Sequence, residues 1–419
     1  MTAVLDNTDV YAADLDATGS ITALADVVGA DELVPTVSGE QVRYANFDYA
    51  ASAPALAEVA AAVTEALGQY ASVHRGAGHL SQVTTARYEQ ARETVRRFVG
   101  GRADDTVVFT RNTTDAINLA AHAVPGDVVV LDIEHHANLL PWQRTGRARV
   151  VVAQPTFAAT VAALEAELSA KPAALLAITA ASNVTGEVLP IRTLTALAHR
   201  HGARILVDGA QLVAHRPVSL VGYGIDYLVF SGHKVYAPFG AGVLIGRGDW
   251  LDAAPPYLVG GGATAHVDLE HGTDWHTGAA LHEAGSPNVL GAVAIAAAAD
   301  AIKHLGFELL GYHERDLRVR LDAGLARLDG VTPLRIFDDV DDRVGIAGFS
   351  VEGRPAREVA EFLSQHHGIG VRDGKFCAHP LLVRLGYGDG AVRASFGLGT
   401  SSDDVDRLLA ALAEFLATA

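Results

Sequence analysis

Six short apolar runs between residues 107 and 246 limit this chain to very few architectures. They are VVFT (107–110), VVVLDIE (128–134), ALLAITA (174–180), RILVD (204–208), DYLVF (226–230) and GVLIG (242–246). Each is too short for a stable helix and apolar on both faces, as strands buried inside a mostly parallel sheet are. Helical segments lie between them, so the expected class is α/β. Ahead of the runs, Tyr88, Ala91, Val95, Phe98 and Val99 recur at three- and four-residue steps and stop at Gly100-Gly101. This predicts an amphipathic helix with a glycine end.

After about residue 295 the rhythm changes. An Ala-rich segment (286–306) reads as a helix leaving the sheet, followed by the strand IAGFSVEG, a helix from Ala356 to about His367, the strand VRASFG (392–397) and a last helix. That helix opens at Ser401-Ser402-Asp403-Asp404 and carries Val405, Leu408, Leu409, Leu412 and Leu416 on one face. At 419 residues the chain exceeds the size at which one core stays undivided. The expected division is an arm over 1–40 packing with the small domain, a large domain over 41–295, and a small α+β domain over 296–419.

Composition narrows the function. A formal net charge of −17, with no basic run set against it, argues against nucleic acid and anionic membrane as partners. No stretch has about 18 uninterrupted apolar residues, and the acidic start lacks the pattern of a signal peptide, so a cytoplasmic location is expected. The single cysteine, Cys377, excludes an intrachain disulfide and a Cys-rich metal site.

Of 32 basic side chains only four are lysines: Lys171, Lys234, Lys303 and Lys375. Lys234 has the most informative context, DYLVFSGHKVYAPFGAGVLIG, which places an amine at the carboxyl end of a strand, where open α/β sheets bind ligands. Desolvation there lowers a lysine pKa, as a Schiff-base lysine requires; the alternative is a surface lysine on a loop. Asp208 ends the strand of ILVDGAQ, and a carboxylate there needs a positive partner, such as a pyridinium nitrogen, or serves as a helix N-cap. Gln211 reaches either a ring oxygen or solvent. Thr113 and Thr114 follow a strand and open a helix, a site for phosphate or a plain threonine cap. His135 and His136 follow a strand: one can stack on an aromatic cofactor, or both are polar loop residues. Adjacent histidines on an extended segment point apart, so no metal is expected.

Together these groups are what pyridoxal 5'-phosphate needs. The segments FDYAASAP, SVHRGAGHLS, RNTTDAIN, EHHANLLPWQ, ASNVTGEVLPI, VDGAQ, SGHKVYAPFG, EAGSPN, VRDGKFCAHPL and VRASFGLGT occur in the order that resembles the class V (fold type I) aminotransferase family, cysteine desulfurase and selenocysteine lyase branch. The resemblance implies a large domain on a mostly parallel seven-stranded sheet and a small α+β C-terminal domain. It implies Lys234 as the Schiff-base lysine, Asp208 as pyridinium partner, Gln211 on the ring oxygen, His135 stacked on the ring and Asn183 flanking it. Thr113, Thr114, Ser231 and His233 would hold the phosphate, with Ser286 donated across a homodimer interface. Arg393 would anchor the substrate carboxylate, with Arg372 and Asn183 beside it.

Cys377 matches the family's nucleophile, and the cations Arg372 and Lys375 nearby favour a thiolate over a buried apolar cysteine. The implied reaction releases alanine from cysteine or a cysteine derivative and leaves a persulfide on Cys377, for transfer to a sulfur-acceptor protein. Two positions depart from the pattern: Lys375-Phe376 stands where two histidines are usual, and Gly78 stands where a histidine is usual, with His79 one place later. Both border the sulfur-handling step. The alternatives are transamination, epimerisation or β-elimination of another amino acid without a persulfide, and a non-catalytic scaffold.

Overall fold

The structure, a computed structural model, describes residues 19–418. Seven strands form the principal sheet: β1 (Thr106–Thr110), β2 (Val128–Leu131), β3 (Ala148–Val151), β4 (Leu175–Thr179), β5 (Arg204–Asp208), β6 (Tyr227–Ser231) and β7 (Gly242–Gly246). Their order is β1-β7-β6-β5-β4-β2-β3. β7 runs antiparallel to both neighbours, and the other pairings are parallel. Alternate residues go to opposite faces. Val129, Leu131, Leu176, Ile178, Ile205, Val207, Leu228 and Phe230 enter one core, whereas Val128, Val130, Leu175, Ala177, Leu206 and Val229 enter the other. Both faces are therefore covered.

Helices α1 (Ala57–Gly68), α2 (His79–Phe98) and α4 (Val289–Leu305) cover the first face, and α3 (Thr113–Ala123) covers the second through Ile117, Leu119 and Ala120. Residue 295 falls in the middle of α4, whose Ala294, Ile295, Ala298 and Ile302 all sit in the large core, so the chain passes to the second unit only after Leu305. The following helix α5 (Phe307–Leu325) bridges the two, with Leu310 in the large core and Leu317, Leu321 and Leu325 in the smaller one.

The smaller core lies on a four-stranded antiparallel sheet, β8 (Val331–Pro333), β9 (Ile346–Val351), β10 (Arg372–Gly374) and β11 (Ala391–Ser395), in the order β8-β9-β11-β10. Helices α6 (Ala356–His367) and α8 (Ser402–Ala417) cover it, with α7 (His379–Arg384) between them in sequence. Ser401 and Asp404 form the capping box expected at the start of α8.

Of the expected arm, residues 1–18 lie outside the described residues. Residues 19–40 touch both units: Ile21 exchanges backbone and side-chain hydrogen bonds with Ser402, and Val27 pairs with Leu56. Farther on, Ala45–Asn46 pairs parallel with Ile369–Gly370, and Asp48 bridges to Ser395. This seam brings the FDYAAS segment against β11. No single helix among the described residues is long and apolar enough to cross a membrane.

Candidate active site

The carboxyl ends of β4, β5 and β6, the loops after β1 and β2, and the turn before α7 converge on a cavity of about 280 Å³. Topology explains why: parallel strands end on one edge, and antiparallel β7 starts there at Gly242. A Cβ at Gly242 would lie 2.5 Å from Asn112 Cα, so glycine is required for the start of α3 to pack over the sheet edge. Asn112, rather than either threonine, caps α3: its side chain accepts from Asp115 N–H. Thr113 and Thr114 are thereby the first two helical residues, and both line the cavity. Ser231 Oγ, at the end of β6, accepts from Thr113 N–H at 2.8 Å and lies 2.6 Å from Thr113 Oγ1. This hydroxyl cluster at the positive end of an eleven-residue helix is chemically suited to a phosphate.

Lys234 follows in a single 3₁₀ turn. Burial pushes its pKa down to about 8, with Asp208 acting in the opposite sense and Arg393 reinforcing the fall. Asp208 ends β5, 4% exposed, and its pKa is raised by burial despite the Ala210 N–H and the charge of Lys234. The only hydrogen bond to its carboxylate among the described residues is the one Oδ1 accepts from Ala210 N–H at 3.0 Å. That contact is a local turn, not a helix cap. A buried carboxylate facing a cavity with so little compensation fits a cationic ring nitrogen.

His135, also on the cavity, accepts from Ala137 N–H through Nδ1 at 3.0 Å. Burial, then the charge of Lys234, hold its pKa down to about 3. The ring is neutral at pH 7, and the Nδ1 acceptor leaves the proton on Nε2. His233 is likewise pushed down to about 4 by burial and Lys234, and its backbone carbonyl accepts from Ala53 N–H. Gln211 donates to Ala50 carbonyl at 2.8 Å, which orients its amide toward the lining and leaves a second N–H available to a ring oxygen.

Arg393, on β11, is 3% exposed. It donates to Asp48 Oδ1 at 2.8 Å and to the Asn183 carbonyl at 2.9 Å, while its buried Nε has no partner. Asn183 Nδ2 donates to the Phe376 carbonyl at 2.7 Å. Phe376 and Cys377 both take left-handed backbone, with φ of 51° and 53°, which bulky residues adopt only when their surroundings impose it. The restraints here are the Asn183 bond, a 2.8 Å bond from His136 N–H to the Cys377 carbonyl, and Ala378 N–H to the Lys375 carbonyl. Cys377 and Arg372 are exposed and line the cavity. Twelve of the residues expected from sequence thus meet at one place. Ser286 does not: it is exposed and away from this cavity within the chain.

Three contributors lacked a sequence signal strong enough to single them out, and Phe376 showed only as a departure from the family pattern. Asp48 holds Arg393, Asn112 caps α3, and Phe376 places its ring 5.2 Å from the Arg393 guanidinium carbon. The fourth is Glu134, fully buried and pushed up to about 8 by burial, which accepts from Asn138 Nδ2 and Thr179 N–H behind His135. Only the EHHAN string hinted at it. Among the described residues no group of three His, Cys, Asp or Glu side chains could hold a metal ion.

The aminotransferase class-V family profile matches residues 45–408. A cysteine desulfurase of Klebsiella pneumoniae (strain 342) is 38% identical over 390 residues, 90% of this chain and 94% of its own length. One from Dickeya dadantii (strain 3937) is 37% identical over 392 residues, 91% and 93%. Among solved structures, the apo cysteine desulfurase of Thermococcus onnurineus NA1 superposes with a TM-score of 0.83 at 32% identity, covering 90% of this chain and 95% of its own. The cysteine desulfurase CsdA (S-sulfonic acid) of Escherichia coli gives 0.80 at 32% identity, with the same coverage.

Proposed function

The chain belongs to the class V aminotransferase family, a family of pyridoxal 5'-phosphate enzymes, and on that premise we propose that it is a cysteine desulfurase. It takes the sulfur of L-cysteine or a cysteine derivative onto Cys377 and releases alanine. The observation that carries this reading is the convergence of Lys234, Asp208 and Cys377 on one cavity.

When bound, the cofactor supplies an electron sink for charge developing at the substrate Cα. Its phosphate is assigned to Thr113, Thr114, Ser231 and His233, its ring nitrogen to Asp208, its ring oxygen to Gln211, and its faces to His135 and Asn183. Lys234, with its pKa near 8, is neutral in a useful fraction at physiological pH and takes the proton from Cα. Arg393, on the cavity wall, receives the substrate carboxylate, with Arg372 at the mouth. Cys377 sulfur forms the new S–S bond as the substrate Cβ–S bond breaks. The electron pair of that bond goes to the carbon skeleton, which takes up a proton and leaves as alanine. The persulfide stands on an exposed turn, where a sulfur-acceptor protein can reach it.

The exposure of Ser286, away from its own chain's cavity, supports a homodimer in which it completes the partner's phosphate site. Lys375 and Phe376 ahead of Cys377 favour β-elimination or transamination as the second reading. Purified holoenzyme given L-cysteine separates the two: alanine in step with sulfide, abolished in Cys377→Ala, supports the desulfurase. Pyruvate and ammonia, unaffected by that substitution, would replace it with β-elimination.

A further inference from the structure

Phe376 departs from the residue usual at its position, and its surroundings give it a use. The ring is 7% exposed and covers the Arg393 guanidinium at 5.2 Å from centroid to carbon. An aromatic face within about 6 Å attracts a cation, more strongly where water is excluded. Arg393 is held at its edges as well, by Asp48 Oδ1 and by the Asn183 carbonyl. The same Asn183 grips the other member of the pair, donating through Nδ2 to the Phe376 carbonyl at 2.7 Å. Asn183, Arg393 and Phe376 thus form a closed unit, with left-handed backbone at Phe376 and its ring over Arg393 of β11. One guanidinium face is covered and two edges are engaged. The buried Nε is left without a partner.

We propose that Phe376 is a positioning residue for substrate carboxylate binding: its ring, acting with Asp48 and Asn183, fixes the plane of Arg393, which lines the cavity, for the α-carboxylate. This rests on the assignment of Arg393 as the carboxylate anchor. A planar donor recognises a carboxylate in its own plane, so a guanidinium free to tilt loses contact with one oxygen. An aliphatic side chain of similar bulk would fill the space without attracting the cation. An aromatic one would restore the attraction.

The test is a titration of the visible spectrum of the holoenzyme with L-alanine, which carries the carboxylate but no sulfur, and with ethylamine, which carries neither. Phe376→Leu is expected to weaken L-alanine by about tenfold, within the range of a desolvated cation–π contact, and to leave ethylamine unchanged. Phe376→Tyr is expected to bind both as the unaltered protein does. Equal L-alanine affinity in the Leu and Tyr variants, or equal weakening of both amines in the Leu variant, overturns the proposal. Arg393→Lys distinguishes the underlying assignment. If it leaves L-alanine binding intact, the carboxylate anchor itself is wrong; if it weakens L-alanine while Phe376→Leu does not, only the role of Phe376 fails.

Discussion

The amine of Lys234 offers the most direct check on the site's electrostatics, because its neighbours act on it with different signs. Burial brings its pKa from 10.5 to about 8. At about 1.36 kcal/mol per tenfold, that is roughly 3.4 kcal/mol of preference for the neutral amine, and it raises the neutral share at pH 7 from about one in 3,000 to about one in ten. Competitive acetylation of the cofactor-free protein with trace acetic anhydride, read by peptide mass from pH 6 to 11, should show the Lys234 rate levelling off near pH 8. Asp208 raises this pKa, so Asp208→Asn should move the break lower; Arg393 lowers it, so Arg393→Gln should move it higher. Cys377→Ala should act in the same direction as Asp208→Asn. A single break above pH 10, or an upward move in Asp208→Asn, would refute the assignment of Lys234 to a desolvated pocket.

Removing the Asp208 charge should also cost cofactor affinity by about 2–5 kcal/mol, the loss typical when one partner of a buried charge pair is removed, measured by equilibrium dialysis of Asp208→Asn. Cys377→Ala should retain the cofactor's visible band while L-cysteine yields no alanine; undiminished alanine would reject the persulfide step. Analytical ultracentrifugation should find a dimer, and Ser286→Ala should lose about tenfold or more in cofactor affinity without changing the assembly, as one charge-assisted hydrogen bond implies. A monomer with full affinity would reject Ser286. His135 has a folded pKa near 3, below its unfolded value of 6.5, so its contribution to stability is present above pH 6.5 and disappears as pH falls toward 3. The melting curve of cofactor-free protein should therefore lose at most about 1.4 kcal/mol per pH step from this residue, and His135→Asn should flatten that slope.

The parallel strands were legible because burial on both faces leaves an unbroken apolar run: β4, β5 and β6 match theirs to within one residue at each end, and β2 starts with its run but stops at Leu131, short of residue 134. β3 carries no such run: it is an edge strand with Val150 44% exposed, and its ARVV sequence alternates too weakly to declare itself. Lys234, Asp208 and the threonines could be found because they abut those runs, so their position along the chain already fixes their position in space. Asp48 and Phe376 could not. Asp48 meets Arg393 across 345 residues, beside the pairing of Asn46 with Gly370, and Phe376 meets it where β10 sets Arg372 opposite Arg393, and no local pattern announces either.

The same distinction bears on the departures around Cys377. Local charge suggested that Lys375 and Arg372 would govern the thiol, because they are its sequence neighbours. Conformation changes that emphasis. Two consecutive non-glycine residues at positive φ cost of the order of 1–3 kcal/mol each, so this turn persists only through what holds it: His136 and Asn183 from the large unit, and Arg393 through the Phe376 ring. Those holders come from β11 and from the loops after β2 and β4, the same elements that line the cofactor cavity. On the proposed assignments, Cys377 carried this way keeps a fixed relation to Arg393, whichever side chains precede it. Phe376, where the family pattern has a histidine, packs its ring on the Arg393 cation, and Cys377 beside it stays exposed at the mouth of the cavity.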